Sequence, residues 1–224
     1  MFTSELTKKE KLFAALGLLL HVIIMPDILA ALIYKGRIDS VTGNFLLYAL
    51  MSVYVLIFLR GFLRRDFDVL ADSPFRIVIE VLGSYLALMF LNSAAALLLS
   101  LFVSTGNPND SSVAEMARSS SGLTASMTIY LAPIVEELLF RGFLFSSLRK
   151  RSRAAAYVTV TLFFALYHLY GFIAVDFTNI IFLIQYIPAG ILLCRCYERT
   201  NTVWSPIALH MLVNAVSLKS MELL

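Results

Sequence analysis

The stretch Leu123–Leu148, LTASMTIYLAPIVEELLFRGFLFSSL, decides how this chain folds. As a helix it is long enough to cross a bilayer, whose ~30 Å hydrocarbon core takes about 20 residues. It lacks the alternation of a barrel strand and runs well past the ~10 residues such a strand needs. Yet it carries Glu136, Glu137 and Arg141. Ionisable side chains inside a span are costly, so each marks a functional or pairing role.

Outward from this stretch lie six further apolar blocks: Leu12–Tyr34, Phe45–Leu63, Ile77–Val103, Ala155–Val175, Phe177–Leu193 and Trp204–Leu218. The last is short and suits a tilted or partly re-entrant helix. Asp176 leaves so little chain between two of them that they must form a helical hairpin. Hydrophobic residues make up 59% of the 224 residues and charged residues 15%. A soluble domain has about 45–50% and about 25%. The expectation is an all-α, polytopic transmembrane bundle of about seven spans. It forms one domain over residues 1–224, divided into three N-terminal helices (12–103) and a C-terminal set (123–218). There is no soluble second domain, no internal repeat and no nucleic-acid partner. The N-terminus does not read as a cleavable signal, because its first apolar block is long and contains Pro26 and Asp27.

Basic residues orient the bundle. With the N-terminus in the cytoplasm, thirteen Lys and Arg fall inside: Lys8, Lys9, Lys11, Arg60, Arg64, Arg65, Arg76, Arg149, Lys150, Arg151, Arg153, Arg195 and Arg199. Only Lys35, Arg37, Arg118 and Lys219 fall outside. This bias follows the positive-inside rule. The longest polar connection, Thr105–Gly122, is then outside, and Ser112 to Glu115 have the spacing to cap a short helix there.

Three spans carry chemistry-bearing residues. Glu137 and Arg141 are at i,i+4 and share a helix face, so they can pair. Glu136 points about 100° away and lacks that partner. An unpaired buried carboxylate suits general acid–base work. A fully paired structural cluster is the competing reading of these three residues. His168 follows on the next span, and His210 and Asn214 share a face at i,i+4 on the last. Glu136 lies thirteen residues before Arg149 and His168 fifteen after Arg153, so both sit roughly 20 Å from the basic markers at 1.5 Å per residue. The expectation is that Glu136, His168, His210 and Asn214 converge on one polar cavity that opens to the cytoplasm.

Glu136-Glu137-x-x-x-Arg141, then Phe164-x-x-x-His168, then His210-x-x-x-Asn214, resembles the three-motif signature of the CPBP family, the intramembrane proteases related to the CAAX prenyl endopeptidase and formerly grouped as Abi proteins. The resemblance spans roughly Leu123 to Leu218. It implies that Glu136 activates water, that His168 orients that water or stabilises charge, and that His210 and Asn214 complete the site, with Asn214 as oxyanion donor. Glu137 and Arg141 would hold the helices, and Phe164 would pack. The resemblance admits zinc on Glu136, His168 and His210, or a metal-free glutamate mechanism. The lack of H-E-x-x-H spacing favours the latter. The implied substrate is a membrane-embedded or membrane-adjacent polypeptide, which in this family includes prenylated ones. The compact chain favours a bacterial plasma membrane. The alternatives are a non-catalytic immunity or regulatory protein that binds a partner such as a sensor kinase, and a proton-relay transporter.

Other polar residues read more plainly. His21 suits interhelical hydrogen bonding, as do Asn92 and Gln185. Asp27 lies near the outer end of its span, where water reaches it. Arg76 and Glu80 have ion-pair spacing, and Arg149 to Arg153 suit anionic lipid. Cys194 and Cys196, one residue apart, read as small buried groups, with lipid-attachment thiols as the alternative, rather than as a disulfide or a zinc site.

Overall fold

The apolar blocks fold as helices because a membrane leaves the backbone no partner but itself. The computed structural model describes residues 2–223. These residues form nine helices in chain order. They are α1 (Lys8–Tyr34), α2 (Ser40–Phe58), α3 (Arg60–Asp72), α4 (Pro74–Ser100), α5 (Pro108–Ser119), α6 (Ser121–Arg149), α7 (Arg153–Val175), α8 (Phe177–Thr200) and α9 (Trp204–Leu223). Among the described residues there is no strand. Six helices, α1, α2, α4, α6, α7 and α8, are long and apolar enough to cross a membrane. The seventh expected span, α9, has 20 residues, but His210, Asn214 and Lys219 make it more polar than these six.

α6 is the central helix. The most apolar window of α6 is 56% buried, against 33% or less for the other five. It also has the lowest mean hydropathy of the six, 1.4. The two facts are linked: a helix wrapped by protein can carry polar groups that a lipid-facing helix cannot. α6 packs against α1, α2, α7, α8 and α9, and α4 closes the bundle against α8 and α9.

Two surface helices flank the spans. The second span was expected over Phe45–Leu63, but α2 ends at Phe58 and Leu59 leaves the helical region at φ −107°, ψ 12°. Arg60, Arg64, Arg65, Asp66 and Asp68 cannot continue into hydrocarbon, so the chain turns into amphipathic α3, which buries Phe62, Leu63 and Asp66. The helix expected in the outer connection begins earlier than Ser112. Its cap is Asn107, whose side chain accepts from Asn109 N at 3.0 Å, with Pro108 in the first turn. The α7–α8 hairpin turns at Asp176, whose carboxylate caps the next turn at Thr178 N.

Ion pairs gather the basic segments at one end of the bundle. Arg65 pairs with Glu10 at 2.6 Å, and Arg149 and Arg153 pair with Glu198 at 2.5 and 2.8 Å. Glu80 does not take Arg76 as its spacing suggests. It is held by Arg195 at 2.7 Å and Arg199 at 3.2 Å, while Arg76 donates to the Arg199 carbonyl. The packing of α4 on α8 brings the α8 arginines closer than the intrahelical partner. Cys194 and Cys196 are free and buried, as their apolar neighbours dictate.

Candidate active site

Near the middle of α6 the helical hydrogen bonding widens to π type over Glu137–Phe145. Such turns recur at functional sites because they re-aim side chains. The adjacent carboxylates diverge here. Glu137 turns to Arg141 and α9, and Glu136 turns to α2 and α7.

Glu137 is fully buried and accepts from Arg141 Nη1 at 2.9 Å. The expected i,i+4 pair is therefore present. Arg141 also reaches the Gly190 carbonyl on α8 at 3.4 Å, and its guanidinium lies 4.3 Å from the Phe164 ring centroid. Phe164 packs as expected, with ring centroids 4.5 Å from His168 and 5.9 Å from His210. His210 Nδ1 lies 2.8 Å from the same Glu137 Oε1. An ionised carboxylate only accepts, so Nδ1 carries the hydrogen and Nε2 is left as the other ring nitrogen.

Glu136 is 2% exposed. Its Oε1 accepts from Tyr48 O–H at 2.8 Å, while Oε2 is buried with no hydrogen-bond partner. His168 Nδ1 donates to the Phe164 carbonyl at 2.9 Å, which leaves Nε2 as an acceptor in the neutral ring. That Nε2 faces Glu136 Oε2 across 3.8 Å. Two acceptors at this separation match the span of a bridging water. Asn214 Nδ2 donates to the Thr128 carbonyl at 2.8 Å, which pins α9 to α6.

Glu136, His168, His210 and Asn214 all line one cavity of about 410 Å³. The four expected residues are thus together, but His210 bonds Glu137 rather than Glu136. Its walls also include Tyr48, Tyr186, Asn44 and Asn92. The cavity does not run toward the basic end, contrary to expectation. α6 lines it from Met127 to Glu136 and contributes nothing beyond, and α5 lines it with Asn109, Asp110, Val113 and Met116. The space beside Glu136 and His168 lies on the side away from Arg149 and Arg153.

A three-step chain of hydrogen bonds was not legible. Tyr48 O lies 3.0 Å from Tyr167 O, and Tyr167 O lies 2.8 Å from His21 Nε2. Each hydroxyl has one hydrogen, and Tyr48 gives its own to Glu136. The direction therefore runs from His21 Nε2–H to Tyr167, to Tyr48, to the carboxylate. His21 is an interhelical hydrogen bonder, as read, but its partner chain ends on Glu136. The adjacency of Tyr167 to His168 was a usable signal, and nothing in the periodicity of α2 singles out Tyr48. Tyr186 was likewise missed. Its ring sits 4.8 Å from that of His168, and its hydroxyl receives a bond from Asn107 Nδ2 at 3.2 Å.

Among the described residues, no three His, Cys, Asp or Glu side chains are arranged to hold a metal ion. His210 Nδ1 is committed to Glu137, which leaves Nε2 as the ring nitrogen that can face a ligand.

Fold and site together define a multi-pass helical membrane protein with a polar, carboxylate-bearing cavity at the middle of its central helix. Residues 119–216, which build α6 to α9, match the model of the Rce1-like family, described as type II CAAX prenyl endopeptidase Rce1-like. This stretch holds all three motifs, and it is similar to the CPBP/CAAX protease family. No curated protein and no solved structure matches the chain.

Proposed function

We propose that the chain is an intramembrane endopeptidase that hydrolyses a peptide bond of a membrane-embedded or membrane-adjacent polypeptide. One observation carries the reading: Glu136 Oε2, buried and unpartnered, faces His168 Nε2 across 3.8 Å at the cavity wall. A water between them donates one hydrogen to each acceptor. Glu136 takes a proton from this water as the oxygen attacks the scissile carbonyl carbon. The carbonyl oxygen becomes an oxyanion, for which Asn214 Nδ2, with two hydrogens, is the donor; His210 lies one helical turn away. The tetrahedral intermediate collapses, the C–N bond breaks, and the proton held by Glu136 passes to the leaving amine. Tyr48 holds the carboxylate still, and Glu137 and Arg141 lock α6 to α8 and α9.

Glu136→Gln keeps the bond to Tyr48 but removes the base. A positioned base contributes about 10²–10⁴-fold. Membrane proteomics of cells that express the wild type or Glu136→Gln at equal, folded levels should show substrates that persist uncleaved only with the variant. Matching peptide populations in the two samples would remove the protease reading. They would favour the non-catalytic, partner-binding alternative.

A further inference from the structure

We propose that the cavity is entered from the non-cytoplasmic side of the membrane, and that it takes a polypeptide segment presented at that face. The word substrate rests on the protease reading, but the access route does not.

The lining of α2, α4, α6 and α9 lies toward one end of the bundle, and α7 and α8 reach the cavity from their middle stretches, Phe164 to His168 and Gln185 to Leu193. Chain direction alternates from span to span, and the ion pairs above fix which end is basic. On α4, which leaves the basic end at Pro74, the lining residues are Leu88, Asn92 and Ala96, all in the distal half. On α2, which runs toward the basic end, they are Asn44 and Tyr48, in the first half. α9 starts at the basic end and lines the cavity from His210 to Met221. The floor is therefore at Glu136 and His210, and the mouth lies under α5 at the end opposite Arg149, Arg153, Arg195 and Arg199. Thirteen of the seventeen Lys and Arg outside the centre of α6 mark the basic end as cytoplasmic. Both facts hold together only if the mouth faces away from the cytoplasm.

The wall chemistry fits a polypeptide. Side-chain amides of Asn44, Asn92, Asn109, Gln185 and Asn214 line the cavity, and Asn92 Oδ1 is buried with no partner. Each amide offers a donor and an acceptor, as a peptide backbone does. α5 sits across the mouth, tied down by Asn107 Nδ2, which donates to Gln185 Oε1 at 2.7 Å.

Cysteine labelling tests the route without reference to turnover. Cys194 and Cys196 are buried, so the wild type serves as the blank. Ser217→Cys places a thiol on the cavity wall, Ser111→Cys one on exposed α5, and Ser152→Cys one at the exposed basic end. The probe is a membrane-impermeant maleimide applied to intact bacterial cells that express each variant, and to inside-out vesicles. Ser217→Cys and Ser111→Cys should label in intact cells as strongly as in permeabilised ones. Ser152→Cys should label only in inside-out vesicles. Labelling of Ser217→Cys only in inside-out vesicles, or from neither side, overturns the proposal. Because the readout is a thiol adduct, it stands apart from whether Glu136→Gln abolishes cleavage.

Discussion

Glu136 and Glu137 are neighbours in sequence and opposites in surroundings. Glu137 shares one oxygen between Arg141 and His210, which suits a group that fixes helices. Glu136 keeps one oxygen bonded to Tyr48 and the other unpartnered beside His168. Tyr48 is thus a positioning residue, acting through Glu136. Hydrogen bonds to charged groups are worth about 1.5–3 kcal/mol, or about 10–100-fold in rate if the bond matters at the transition state. Tyr48→Phe should lower kcat by about that factor in a peptide-cleavage assay and leave KM and the melting temperature near wild type. An equal rise in KM with kcat unchanged would place Tyr48 in substrate binding instead.

At the scale of elements, the arrangement depends on how closely α7 and α8 approach. A Cβ built on Gly190 would meet Thr161 Cγ2 at 2.7 Å and Thr161 Cα at 3.0 Å. Small residues at such crossings let helix backbones pack without a hydrophobic drive. The same Gly190 carbonyl accepts from Arg141, so the crossing and the buried ion pair share a residue. Gly190→Val should push α8 off α7, with a cost of about 1–3 kcal/mol from overpacking. Thermal melting in detergent reads this, and activity should fall with it, since α8 carries Tyr186 and Gln185 to the cavity. A variant as stable as the wild type would show that the contact yields cheaply.

At the scale of the whole molecule, the cytoplasm-facing end proposed above is tied by one buried carboxylate on α3. Asp66 accepts from Ser4 Oγ at 2.8 and 3.0 Å and from Val203 N at 2.7 Å. It thereby joins the N-terminal segment, α3 and the start of α9. Burial pushes its carboxyl from the usual 3.8 up to about 6, although the Val203 and Ser4 bonds pull the other way. The folded protein therefore holds this proton more tightly than the unfolded chain. The resulting stability is fully present below pH 3.8 and is lost as pH rises through about 6. At 1.36 kcal/mol per unit the loss is ~3 kcal/mol. Asp66→Asn can still accept from Val203 N but cannot ionise. Its melting temperature should gain on the wild type as pH goes from 4 to 7. A constant separation across that range would contradict this role.

The helical class, the gathering of the basic segments at one end and the identity of the residues that line the cavity were legible in one dimension. Long apolar runs admit only helices in hydrocarbon, lysine and arginine mark the inner end, and costly polar residues announce themselves against an apolar background. The Glu137–Arg141 pair was legible too, because i,i+4 spacing is set by the helix itself. Tertiary structure decided the rest. Which carboxylate meets His168 and which meets His210 depends on how α7 and α9 rotate about α6, and no local period encodes that rotation. Each bond in the chain from His21 through Tyr167 and Tyr48 to Glu136 links residues 88 or more positions apart, so only packing brings them together. The direction of the cavity could not be read from the depth of Glu136, because distance from the basic end says where a residue sits and not on which side of it the helices part.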